Sequence, residues 1–136
     1  MHVLIIGAAG MVGRKLAEAI VRDDGLGEVP VETLTLVDVV EAAPPAGFKG
    51  AVAVHAADIA LPETAASMAA GRPDIIFHLA AIVSGEAELD FDKGYAVNLD
   101  GTRHLFEAIR AEGARLPYRP RVVFTSSIAV FGAPFP

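Results

Sequence analysis

The sequence predicts an α/β fold, a doubly wound parallel sheet of about five strands. Three observations carry that prediction. Five short apolar runs are separated mostly by helical patterns or long crossovers, and parallel strands need such crossovers because a tight turn can only reverse the chain. Hydrophobic residues make up 53% of the 136, more than usual, as a sheet covered on both faces requires. The first apolar run turns through glycines straight into a helical pattern, which opens a βαβ unit.

Residues 3–6 form the first strand. Met11 to about Arg22 is a helix, with Val12, Leu16, Ala19 and Ile20 at helical spacing and Arg14, Lys15 and Glu18 turned outward. Residues 23–30 hold two glycines and Pro30, so they are a loop. Residues 33–37 form the second strand, which ends at Asp38. Residues 41–50, with Pro44 and Pro45, are loop, and residues 51–55 form a third strand that ends near Asp58. Residues 62–70 are a short helix opened by Pro62, whose missing N–H has no partner to lose in a first turn. Residues 75–79 form the fourth strand. Residues 91–112 form a long helix with Tyr95, Leu99, Leu105, Phe106 and Ile109 on its apolar positions, and residues 121–125 form the fifth strand. Residues 131–136 are loop, which leaves the fifth strand at a raw edge. The chain therefore reads as the N-terminal part of a longer protein; the alternative is a short domain closed by dimerisation.

Composition narrows the class. There is no cysteine, so no disulfide framework or thiolate metal site is expected, and no His, Asp or Glu spacing suggests a metal. No apolar run reaches the ~18 residues of a membrane helix, and the N-terminus lacks a signal-peptide layout, so the expectation is a cytoplasmic protein with no membrane partner. A net charge of −6 argues against a nucleic-acid surface.

The chemistry begins at Gly7-x-x-Gly10-x-x-Gly13. A dinucleotide pyrophosphate needs a strand, a tight turn whose glycines let backbone approach the phosphates, and a helix N-terminus with unpaired N–H groups. The spacing departs from G-x-G-x-x-G, and taken alone it also suits an ordinary strand–turn–helix. Asp38 ends the second strand, where a carboxylate accepts both ribose hydroxyls and repels a 2′-phosphate. The plain alternative is a cap. Val39 and Val40 add no cation, which favours NAD over NADP, while Arg14 and Lys15 keep NADP open. Asp58 can accept from the adenine amino group with Ile59 packed on the ring; alone, it is a turn residue. The small residues of His78-Leu79-Ala80-Ala81 let a cofactor pass close to backbone, with His78 a satisfied core histidine. Asn98, followed by Gly101 inside a helix, goes against local preference and marks a functional or packing site. Thr125-Ser126-Ser127 ends the fifth strand at the carboxyl edge, where α/β sheets place chemistry; alone, such serines are turn residues.

These motifs, with Asn98-x-x-Gly101-Thr102 and Ser127-x-x-Val130-Phe131-Gly132, stand in the order of the extended short-chain dehydrogenase/reductase family, which the whole chain resembles. That family includes NAD-dependent sugar epimerases and dehydratases. The resemblance implies a Rossmann-type NAD-binding domain over residues 1–136, incomplete at its C-terminal side. It implies Gly7, Gly10, Met11, Val12 and Gly13 at the phosphates, Asp38 at the ribose, and Asp58 and Ile59 at the adenine. Leu79, Ala80 and Ala81 would line the cofactor's path, Asn98 would support that side of the cleft, and Ser126 would touch the nicotinamide half. Ser127 matches the catalytic serine that hydrogen-bonds the reacting hydroxyl, and Ser84 lies in a loop that faces substrate in relatives. Residues 81–86 and 124–134 look most like members that oxidise small sugar acids. The implied protein is a homodimeric NAD-dependent oxidoreductase acting on a sugar or sugar acid. A nucleotide-sugar epimerase or dehydratase, or a non-catalytic NAD-binding sensor or scaffold, are the alternatives. Phe131 replaces a tyrosine common in the motif. The family's Tyr-x-x-x-Lys does not occur: Leu99 follows Tyr95 at that spacing, and Val122 follows Tyr118.

Overall fold

The computed structural model describes residues 1–132; the last four positions of the predicted terminal loop lie outside the described residues. Five strands, β1 (His2–Ile6), β2 (Thr33–Asp38), β3 (Ala51–Ala56), β4 (Ile75–His78) and β5 (Arg121–Phe124), pair in parallel in the order β3-β2-β1-β4-β5. The expected α/β class and parallel sheet are both present. Strand β1 is central, and its residues alternate between two cores. Val3 and Ile5 pack with Ala17, Ile20, Leu34 and Leu36 under helix α1 (Met11–Arg22). Leu4 and Ile6 pack with Ile76, Met68 and Leu105 under helix α2 (Pro62–Ala70) and the later helices. Burial on both faces explains the unbroken apolar run.

The edges differ from this pattern. In β5 every residue but one is exposed, with Phe124 at 50%, and half of β3 is exposed, because each has one neighbour and little above it. Helix α1 also sits differently from its periodicity. Its buried stripe is Gly13, Ala17 and Ile20, and Val12 is 54% exposed rather than core. Gly13 takes the inward place because the helix start lies against the glycine turn, which leaves no room for a side chain.

The region after β4 departs most. A short helix α3 (Ser84–Leu89) stands where a loop is expected, and it buries none of its residues. The predicted long helix exists, but as three joined parts: α4 (Phe91–Tyr95), a π-helical segment (Ala96–Gly101) and α5 (Thr102–Arg115). Its apolar positions split accordingly. Leu105 is fully buried, whereas Tyr95, Leu99 and Phe106 face outward. A 3-10 turn (Ile128–Phe131) follows β5.

Candidate functional site

The register sets Ile6 level with Val37 on one side and with His78 on the other. The chain reverses its direction of winding at β1, so a crevice opens above the carboxyl ends of β1, β2 and β4. Ligands of open α/β sheets bind at such switch points.

The glycine turn forms one wall. Gly7 has φ +90°, and a Cβ there would stand 2.7 Å from Ala80 N. Only glycine both adopts that backbone and lets residues 79–80 come so close. At Gly13 a Cβ would lie 2.3 Å from Gly7 O and 2.7 Å from Ala8 Cα, so its absence lets α1 press onto the turn. Gly10 is the N-cap, extended at φ −68° and ψ 165°, with no side-chain cap and no acidic residue in the first turn. The first amides of α1 are thus left for an anion.

The end of β2 fastens this turn. Gly7 N and Ala8 N both donate to Val37 O, at 2.8 and 3.1 Å. Ala9 N donates to Asp38 Oδ2 at 2.9 Å, and Val39 N to Asp38 Oδ1 at 2.8 Å. Val39 and Val40 stand exposed beyond it.

Between this wall and residues 79–82 lies a largely apolar cleft of about 480 Å³. Of the residues singled out in the sequence, Gly7, Gly10, Asp38, Asp58, Ile59, Leu79, Ala80 and Ala81 line it together. Asp58 keeps its turn role as well, since its Oδ1 accepts from Ala60 N at 2.9 Å. Ile59 is 3% exposed and also belongs to the core beneath the π segment.

The opposite wall is held by side chains. Asn98 Oδ1 accepts from Ile82 N at 2.8 Å, and Asn98 Nδ2 donates to Ile82 O at 2.9 Å, so one amide grips both polar groups of one residue's backbone. Thr102 Oγ1 donates to Asn98 O at 2.9 Å. His78 Nε2 lies 2.9 Å from the same hydroxyl, which has given its proton to Asn98, so Nε2–H is the donor. The other ring nitrogen, Nδ1, is buried and has no partner among the described residues. The expected core histidine is therefore only half satisfied, and burial pushes its pKa below the ordinary range. The π segment sits where Gly101 crosses Ile59; a Cβ there would meet Ile59 Cγ2 and O at 3.2 Å. A widened turn at that crossing accommodates both contacts.

Sequence reasoning missed Lys93, a cation in the cleft lining, whose Nζ pairs with Glu86 Oε1 of α3 at 2.5 Å. Glu86 holds the Lys93 pKa above its ordinary value, with smaller help from Asp90 and Asp58. No periodic or glycine signal marks it.

Other expected residues stand apart from the cleft lining. Met11 and Val12 are exposed on the first turn of α1, and Gly13 is buried. Asn98 acts from behind the wall. Ser84 begins α3 rather than lying in a loop, and with Asn98, Phe91 and Tyr95 it borders a separate hollow. Ser126 and Ser127 are exposed after β5, where Val130 N donates to Ser127 O at 3.3 Å. Neither described tyrosine is placed as a base there: Tyr118 OH donates to Pro73 O at 3.0 Å and burial pushes its pKa up to about 12, while Tyr95 stacks on Phe91 with ring centroids 4.6 Å apart.

Residues 3–136 match the family described as NAD dependent epimerase/dehydratase. The chain belongs to that family. It is 42% identical, over its whole length, to a D-erythronate dehydrogenase of Cupriavidus necator, and 34% identical to one of Haemophilus influenzae. It spans 41% of the length of each of these relatives. Among solved structures, a nucleoside-diphosphate-sugar epimerase from Agrobacterium tumefaciens superposes on all of this chain with a TM-score of 0.96 and 65% identity, over 40% of its own length. The chain's likeness to dehydrogenases of sugar acids is legible in the residues themselves, and so is the Rossmann-like sheet.

Proposed function

We propose that the full-length protein is an NAD-dependent oxidoreductase that oxidises a secondary hydroxyl of a D-erythronate-like sugar acid, and that this chain supplies its cofactor half. The observation that carries the reading is the cleft of about 480 Å³ with the glycine turn, Asp38 and Asp58 along it. The residues fit the group. Close backbone approach at Gly7 and Gly13 leaves the α1 amides open for a pyrophosphate, and Asp38 keeps lone pairs beyond its two backbone contacts for ribose hydroxyls. Asp38 and the apolar pair after it favour NAD over NADP. Ile59 and Ala80 would flank the adenine, with Asp58 on its amino group.

Bound NAD would accept the hydride from the substrate carbon, and the hydroxyl proton would pass to a base such as the tyrosine of the family's Tyr-x-x-x-Lys, which does not occur in this chain. Ser126 would lie on the nicotinamide side, and Ser127 would donate to the reacting oxygen as negative charge develops there. Ser84 contributes to the substrate side. The names of the C. necator and H. influenzae relatives support the sugar-acid substrate. A second reading, a nucleotide-sugar epimerase, is favoured by the 65% identity to the A. tumefaciens structure. Incubating the full-length protein with NAD and D-erythronate should produce reduced nicotinamide, read by its near-ultraviolet absorbance. No reduction, together with interconversion of UDP-sugars, would select the epimerase.

The same reading includes a cytoplasmic homodimer. Phe91, Tyr95, Leu99 and Phe106 are exposed at 66, 53, 54 and 48% along the joined helices, an apolar face that a second copy would cover. Among the described residues no helix is long and apolar enough to cross a membrane. Light scattering of a monomer at micromolar concentration would remove the dimer.

A further inference from the structure

We propose that Asp38 is a positioning residue for the glycine turn, a role separate from the ribose contact that the proposed function gives it. The two roles use different lone pairs. An ionised carboxylate offers about four acceptor sites on two oxygens. One on Oδ2 is taken by Ala9 N at 2.9 Å, and one on Oδ1 by Val39 N at 2.8 Å. The rest remain for a ligand.

The bond to Ala9 reaches from the end of β2 into the turn, across 29 residues of chain. Gly7, Ala8 and Ala9 present consecutive amides to β2. The first two go to a backbone acceptor, Val37 O, at 2.8 and 3.1 Å. The third goes to a side chain, and no substitution but one at Asp38 can remove that acceptor. Gly10 N closes the turn on Gly7 O at 3.2 Å. Asp38 therefore fixes the residue between the strand-bonded part of the turn and the N-cap of α1. The phosphate-facing backbone is set before any cofactor arrives, which lowers the ordering cost of binding. A replacement that keeps an acceptor for Ala9 N–H and one that keeps none should then behave differently. Asp38→Asn keeps a carbonyl oxygen for Ala9 N–H, turns its NH2 toward Val39 N–H, and drops the charge that opposes a 2′-phosphate. Asp38→Ala drops both.

The proposal rests on the NAD reading for its affinity arm alone. Hydrogen–deuterium exchange, followed by mass spectrometry on the ligand-free full-length protein, reads the clamp directly. In Asp38→Ala the peptide spanning residues 5–11 should exchange about tenfold faster than in the parent, the effect of losing one charge-assisted hydrogen bond, the peptide holding Val39 should also exchange faster, and the remaining β1–β2 peptides should be unchanged. Asp38→Asn should fall between the parent and Asp38→Ala, since it keeps one neutral acceptor for Ala9 N–H and loses the charge and the acceptor for Val39 N–H. In titrations, Asp38→Asn should bind NADP about tenfold more tightly than Asp38→Ala, although both lack the charge. Turn exchange in Asp38→Ala equal to the parent, or equal in the two variants, would overturn the clamp. Absence of any NAD or NADP binding by the parent would instead remove the cofactor reading and leave the exchange arm to decide the clamp.

Discussion

On one side of the cleft the chain is held largely by its own backbone; on the other it is held by side chains from a distant helix. The glycine turn bonds to the end of β2 through Gly7 N, Ala8 N and Ala9 N, and its shape follows from positions where a Cβ would collide with backbone. Residues 79–82 have no glycine. Leu79 N still reaches Ile6 O at 2.9 Å, but Ile82 depends on Asn98, sixteen residues on, which is oriented in turn through the π segment and Thr102. A wall built on glycine geometry tolerates almost no added volume. A wall built on side-chain hydrogen bonds tolerates volume but not the loss of an acceptor or donor.

Substitutions in and beyond the two walls test that contrast. The largest expected effect lies outside both. Ser127→Ala in the full-length enzyme should lower kcat by about 10²–10³, the usual loss for one oxyanion donor, with NAD affinity nearly unchanged. Ser126→Ala should act more on NAD affinity than on kcat. A Ser127→Ala enzyme with near-normal kcat and a lowered melting temperature would reduce both serines to turn residues.

Next comes Gly13→Val. Its Cβ would lie 2.3 Å from Gly7 O, so α1 must move off the turn, at a cost of about 3 kcal/mol of stability and most of the NAD affinity. Denaturant melts and titration with NAD check it, and a variant normal in both would show that α1 can slide freely. Asn98→Ala should cost less, about 1–2 kcal/mol, because its two hydrogen bonds to Ile82 are neutral and near the surface. Asn98→Asp should cost at least as much, since it keeps the acceptor for Ile82 N but sets a carboxylate oxygen against Ile82 O. Equal melts for all three proteins would mean that the loop holds itself.

The smallest effect concerns His78. Burial lowers its folded pKa below the 6.5 of the free side chain, so below that pH the unfolded chain binds the proton first. Stability should then fall as pH drops from 6.5 towards the folded value, and be unaffected by His78 above 6.5. His78→Leu should flatten part of that slope, leaving the share of His2, whose pKa burial also lowers. An unchanged slope in thermal melts across that window would place the acid sensitivity elsewhere.

The same contrast explains what was legible. Strand and helix periodicity and the Gly7–Gly13 spacing are local signals, and they located β1, α1, the end of β2 at Asp38 and the crevice between them. Asn98 was visible only as a residue that disliked its helix; that its amide grips Ile82 is a contact between distant segments with no periodic trace. Helix α3 was missed because it buries nothing, so residues 84–89 carry no apolar stripe. Spacing alone turns Val12 inward, because it cannot tell that Gly13, with no side chain, takes that position. Lys93 enters the cleft lining from a helix face that sequence marks only as polar.

The crevice at the β1 switch point is proposed to hold NAD through these two walls. Calorimetric titration of the full-length protein with NAD and with NADP tests it most directly. The expected result is saturable one-site binding of NAD that is markedly tighter than that of NADP, with the preference narrowed in Asp38→Asn. No binding of either dinucleotide, or equal affinity of the unmutated protein for both, would contradict it.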